Sequence, residues 1–394
     1  FVNCTKDSFD TAISTLNERI KKYGPESPVI RSWIEAQDQV FANCSEGKTL
    51  PDTITGDDAL TRADRTYQIA AANFYSTNFE DARKTFDAIA KDSSSPWKPL
   101  APYLSARTLV RQASLGSAEE KSTLLTEAER KLETILVDKQ QASSHRATNR
   151  LLDLVKFRLH PSERLHELAH SLSNRSQNSH IKQDLWDYTM LLDGVLESED
   201  AKKPDADLRS DDLTDWISTL QVTSNESLDH AISRWQTTHS PTWLVAVLSK
   251  IDGKHSKAQE AISEALNVKS NSSAFASSRF HAVRLMVEAG KTDEARSLLD
   301  QLLKTHRGEF DASSLNLLIS QRMMLATSLE DFLNHAPRVP AALSWNDDGR
   351  EIPVESGDVS DSEKALIGKA LFDEETANLF NKQMPLSVLK EAVL

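Results

Sequence analysis

Gly290-Lys291-Thr292-Asp293-Glu294-Ala295, with Leu299 and Leu302 beyond it, carries a spacing that recurs along the chain. A Gly lets the backbone reverse, and a small Ala five positions later lets two helix backbones approach closely. Apolar residues four and seven positions further then fill the groove against the next element. The same order is found in Gly253, Ala258, Ile262 and Ala265, 37 residues earlier, and in Thr77, Ala82, Phe86 and Ile89. A looser copy holds Ala128, Leu132 and Ile135. One helix pair of this kind cannot bury its apolar face alone, so neighbouring pairs must stack into an array.

Outward from these units the pattern is helix, short break, helix. Apolar periodicity predicts helices over 8–22, 29–43, 62–76, 79–91, 100–115, 118–138, 144–159, 162–173, 180–197, 210–222, 225–238, 241–251, 254–267, 274–289, 292–305, 310–326 and 328–334. Breaks fall at Ser93-Ser94-Ser95-Pro96, His160-Pro161, Lys202-Lys203-Pro204 and Ser240-Pro241, where Pro and Ser end helices. Only 11 of 394 residues are Gly, too few for the hairpins and corners of a sheet-rich fold. The fold class is therefore all-α.

The stretch Ile69-Ala70 through Phe74, Asn78-Phe79, Ala82, Phe86 and Ile89, then Pro96, resembles the tetratricopeptide-repeat family in its large-small-aromatic-Ala-aromatic-Pro order. The 290–295 turn is similar to that family's turn. The resemblance covers about a quarter of the chain and implies a right-handed solenoid of antiparallel helix pairs, with first helices lining a concave groove. Trp33-Ile34-Glu35-Ala36-Gln37-Asp38 and Ala101-Pro102-Tyr103-Leu104 also resemble repeat proteins of bacterial envelopes, which implies no activity.

The N-terminal region 1–60 reads as a helical hairpin and loop. Phe9, Ile13, Leu16 and Ile20 form one helix stripe; Ile30, Trp33, Ile34, Gln37, Val40 and Phe41 form the next. Helices of nearly equal length return Cys44 to the end where Cys4 lies, so a disulfide between the only two cysteines is expected. It implies an oxidising compartment, periplasmic or extracellular. Phe1 stands in the place of Met, as in a processed or trimmed chain. The array proper spans 61–336. From 337 to 394 the character changes: Leu343-Ser344-Trp345 and Ile352 flank a turn in a lone hairpin, and helices resume near Asp361.

Charge narrows the partners. With 46 Lys plus Arg against 59 Asp plus Glu, the net charge of −13 disfavours binding to nucleic acid. No apolar run reaches the 18 or so residues of a membrane span. There is no Gly-rich phosphate loop, no haem-attachment motif and no nucleophile elbow, so no cofactor is expected.

Two local patterns invite chemistry. His166-Glu167-Leu168-Ala169-His170 is H-E-x-x-H, in which two histidines one turn apart share a zinc and the Glu activates its water. Leu165, Leu168 and Leu172 set the apolar stripe of that helix, which turns both histidines to solvent and makes a solvated face the leading expectation. A metallohydrolase on His166, Glu167 and His170 is the alternative. In segment 197–215, Asp205, Asp207 and Asp211 resemble a calcium loop without its central Gly and terminal Glu, and the segment reads as an acidic linker. The expected function is a non-catalytic scaffold that binds another protein or peptide, or assembles with further copies; a saccharide- or peptide-binding solenoid is a further alternative. The repeat register places Tyr67, Phe74, Tyr75, Tyr103, Arg107, Arg111, Trp243 and Arg284 in the binding groove, residue types that anchor interfaces.

Overall fold

Helix formation follows the punctuation. The computed structural model describes residues 3–45, 47–55, 58–174, 180–196, 208–345, 351–353, 360–372, 374–383 and 386–393. The chain divides into two compact units, Phe1–Ala201 and Lys202–Leu394. The division falls inside the stretch 61–336, at the acidic segment whose charge supplies no apolar stripe.

The first unit contains α1 (Lys6–Tyr23), α2 (Pro28–Ala42), α3 (Ala59–Tyr75), α4 (Phe79–Lys91), α5 (Ala101–Leu115), α6 (Ala118–Val137), α7 (His145–Leu159), α8 (Pro161–Ser173) and α9 (Ile181–Leu196). The second contains α10 (Asp212–Gln221), α11 (Asn225–Thr238), α12 (Pro241–Lys250), α13 (Ala258–Asn267), α14 (Phe275–Glu288), α15 (Thr292–Thr305), α16 (Ala312–Met324) and α17 (Leu329–His335). A hairpin of β1 (Ala342–Trp345) and β2 (Glu351–Pro353) follows, then α18 (Asp361–Lys364), α19 (Glu374–Gln383) and α20 (Leu386–Val393). Caps begin many of the helices: Asp58 accepts from the Thr61 amide, and Ser224 with Ser227 forms a reciprocal capping box.

Consecutive helices pack against one another in each unit, and in the second unit α10, α12, α14 and α16 also lie side by side. The repeated small and large residues sit where these helices cross. Ala82, Ala128 and Ala295 are wholly buried, and Phe86, Leu132, Ile262, Leu299 and Leu302 fill the adjoining grooves. The turns ahead of Ala82 and Ala295 share one backbone solution. Asn78 donates to the carbonyl of Asn73, and Lys291 to that of Met286, both at 2.9 Å, closing the preceding helix with the six-residue bond of a Schellman motif. The residue at the left-handed position is Gly290 in one turn (φ 78°) and Thr77 in the other (φ 69°). Gly253 meets a different demand, since a Cβ there would lie 2.5 Å from the Leu285 carbonyl oxygen.

Cys4 and Cys44 form the expected disulfide, with Cα atoms 5.1 Å apart. The orientation of α1 differs from the sequence expectation. Phe9 and Ile13 are exposed, Leu16 and Ile20 only half-buried, while Thr15 and Arg19 are buried. Arg19 makes a two-pronged ion pair with the buried Asp64 of α3, and satisfying that carboxylate turns the polar face of α1 inward. Ile34 of α2 is likewise exposed, whereas Ile30, Trp33 and Val40 are buried as expected. The tail beyond 337 packs back on the second unit, where Leu379, Phe380 and Leu389 join Ile319, Met323 and Phe332.

Candidate functional site

Helix α3 carries Asp64, Tyr67, Gln68, Ala71 and Tyr75 along one stripe, at the spacing of successive helical turns. Opposite this stripe stand Asp7, Ser8, Thr11, Ala12 and Thr15 of α1. Trp33 and Gln37 of α2, Trp97 before α5, and Tyr103 and Arg107 of α5 complete a cavity of about 100 Å³. The floor is a saturated polar network. Asp64 is 2% exposed; it accepts from Arg19 Nε at 2.6 Å, Arg19 Nη2 at 3.0 Å and Trp97 Nε1 at 2.9 Å. The Tyr67 ring stacks on Trp97 with centroids 3.7 Å apart and planes 7° from parallel. Gln68 donates to the Trp33 carbonyl at 3.0 Å and to Gln37 at 3.2 Å.

Arg107 stands at the mouth of the cavity, and Arg111 follows it one turn later on α5. Arg107 pairs with Asp7 at 2.8 Å, and Arg111 donates to the side-chain carbonyl of Asn3. Both guanidiniums lie over the Phe74 ring, 5.8 and 4.9 Å from its centre. Asn3 also donates to the carbonyls of Asn43 and Tyr75, so the segment pinned by the disulfide is stitched to this mouth. Burial raises the Asp7 carboxyl, but the Thr5 hydroxyl and Arg107 outweigh it and hold it below the usual carboxylate range. Burial pushes the phenols of Tyr67 and Tyr103 up, which keeps both as proton donors. It also lowers Arg111, with Arg107 adding to the effect.

Six of the eight residues assigned to the groove therefore converge in the first unit: Tyr67, Phe74, Tyr75, Tyr103, Arg107 and Arg111. Phe74 contributes as a buried ring beneath the arginines rather than as an open surface. The other two serve the core of the second unit. Trp243 is wholly buried and donates to Asp212 at 2.8 Å. Arg284 is committed to the Leu248 and Ile251 carbonyls at the end of α12 and to Glu288. Both face inward because first helices in that unit pack side by side, which consumes the face that the register assigned to a groove.

Sequence reading missed Asp7, Trp33, Asp64 and Trp97. The available signal was Asp64, an acid on the same stripe as Tyr67 and Ala71, which demands a buried cation. The His166-Glu167-x-x-His170 stretch lies on α8. His170 is exposed, with the Asn174 amide 3.0 Å from its Nε2. Glu167 pairs with Lys156 at 2.7 Å and Arg164 at 3.0 Å. Partial burial raises its carboxyl, but these cations prevail and hold it below its ordinary value, the wrong direction for a general base near neutrality. Among the described residues no group of three or more His, Cys, Asp or Glu side chains converges as a metal site would. Asp205 and Asp207 lie outside the described residues. No helix among those described is long and apolar enough to cross a membrane.

Comparison with protein-family models, with curated proteins and with solved structures finds no match for this chain.

Proposed function

We propose that the chain is a non-catalytic interaction scaffold, a right-handed solenoid of the tetratricopeptide-repeat type that acts in the periplasm or outside the cell. It binds another protein or a peptide through the first-helix face of the first unit. The observation that supports this is the convergence of Tyr67, Tyr75, Tyr103 and Arg107 around one cavity, since aromatic and Arg side chains are the usual anchors of protein interfaces. The Cys4–Cys44 bond supports the oxidising compartment. The commitment of Glu167 to two cations weighs against the hydrolase alternative.

Capture of the partner from an envelope extract tests the proposal. Tyr75→Ala combined with Arg107→Glu is expected to weaken capture at least tenfold, about 1.4 kcal/mol, with helicity retained. Lys84→Ala, on the exposed face of α4, is expected to do nothing measurable. If capture survives the first pair and is lost in the second variant, partner binding resides on the outer face. Assembly with further copies is a second reading, favoured by the exposed Ile181, Leu185 and Met190 along α9. Light scattering that reports a single copy at all concentrations removes it.

A further inference from the structure

Helix α1 is held to the first unit more by polar tethers than by a core. Its only buried side chains are Thr15 and Arg19, whereas α2 buries Ile30, Trp33, Ala36 and Val40. The apolar stripe of α1 turns away: Phe9 and Ile13 are exposed, and Phe9 leans on Phe41 of α2 with ring centres 4.6 Å apart. The face turned inward carries Asp7, Ser8, Thr11, Ala12 and Thr15. These small or polar side chains leave about 100 Å³ open against Tyr67, Tyr75 and Tyr103. A helix that belonged to the core would fill such a space, since protein interiors are close-packed.

The tethers follow a definite order along the helix. At its start the Cys4–Cys44 bond fastens it to the end of α2. Asn3 donates there to the Asn43 carbonyl at 2.6 Å, and Asp7 pairs with Arg107 at 2.8 Å. Further along, Arg19 pairs with Asp64 at 2.6 Å. At the far end the Tyr23 hydroxyl donates to Asp58 at 2.6 Å. The chain then turns through Gly24 at φ 82°, with open space where a Cβ would stand. Of these tethers the disulfide alone is covalent. The Asp7 carboxylate is exposed, and an ion pair in contact with water holds little. The Arg19–Asp64 pair is buried, but a lift of α1 brings water to both charges, so neither is left unpaired in a dry site. Gly24 supplies a pivot and the disulfide a latch.

We infer that α1 is a lid over the face of Tyr67, Tyr75 and Tyr103, latched by the Cys4–Cys44 bond. Reduction of that bond by a dithiol lets α1 swing about Gly24 and opens the face to a partner segment. The inference rests on the reading of this face as the capture surface and adds how access to it is controlled. One thiolate of the dithiol attacks a sulfur of the bond to give a mixed disulfide, which the second thiol displaces. Two electrons and two protons pass to the chain as two cysteine thiols, and the reductant leaves as a disulfide. In an oxidising compartment the closed form is the resting one.

The test is hydrogen exchange of the full chain, oxidised and after treatment with dithiothreitol, read by mass spectrometry. Amides of α1 are expected to exchange at least tenfold faster after reduction, while those of α3 and α5 stay within twofold. Reoxidation is expected to restore slow exchange. Cys4→Ser with Cys44→Ser should match the reduced chain without reductant; if that variant does not fold, the reduced and reoxidised parent carries the comparison. Exchange in α1 unchanged by reduction, or a rise shared equally by α3 and α5, would overturn the lid. Capture from the envelope extract is expected to rise at least tenfold once the chain is reduced and its thiols alkylated. If α1 lifts with no gain in capture, the movement stands, but the capture reading and this role of the lid both fall.

Discussion

Thr77 and Gly253 show how much one position in a turn decides. Thr77 holds φ at 69°, where an L residue with a branched side chain pays about 1–2 kcal/mol. Replacing it with Gly removes that cost but adds freedom to the unfolded chain, so Thr77→Gly is expected to stabilise by up to about 1 kcal/mol in urea unfolding. Gly253→Ala is expected to destabilise instead, because its Cβ meets backbone atoms of α14 that cannot yield. Similar stability for the two variants would remove the distinction between a dihedral demand and a contact demand. His281 sets the acid limit at the same scale. Burial first, and then Arg284, depress its imidazole from 6.5 to about 4. The folded state keeps it neutral while the unfolded chain takes up a proton, so stability is complete above about pH 6.5 and falls as the pH drops towards 4. The loss is on the order of 3 kcal/mol at most. His281→Gln is expected to flatten stability between pH 7 and 4.5, and an unchanged slope would assign the loss to other groups.

Helix crossings depend on the small residues of the repeat. Ala82, Ala258 and Ala295 each lie buried where two helices meet, and Leu at any of them is expected to cost on the order of 1–3 kcal/mol by overpacking. Three neutral substitutions would show that the crossings tolerate a wider separation. These positions are legible in the residue order alone, because small-then-large spacing at helical period has one economical packing. The rotation of α1 is not legible in the same way. Its apolar stripe, Phe9, Ile13, Leu16 and Ile20, is as regular as any in the chain, yet it points largely outward. Periodicity measures how apolar groups are distributed around one helix. It contains no term for a buried carboxylate on another helix, and leaving Asp64 unpaired would cost more than exposing part of two side chains.

Two compact units predict composite unfolding. Calorimetry of the whole chain is expected to give two transitions rather than one. Reduction should lower only the transition of the first unit, by no more than roughly 4 kcal/mol for a disulfide that closes a loop of this length, since both cysteines lie there. Acid between pH 6.5 and 4 should lower the transition of the second unit, which holds His281. One transition, sensitive to both treatments, would contradict the independence of the two cores. The helical class, the order of the helices with ends within a few residues, the Cys4–Cys44 pair and the short hairpin near Trp345 were readable from residue order, because each follows from local periodicity, turn chemistry or chain return. The full lining of the cavity was not. Trp33, Asp64 and Trp97 joined Tyr67, Tyr75, Tyr103 and Arg107 around it, while Trp243 entered the core and Arg284 tied down the end of α12, through contacts between helices distant in sequence. Those contacts are chosen by where buried charges find partners and where backbones can approach, and neither is a property of any single segment.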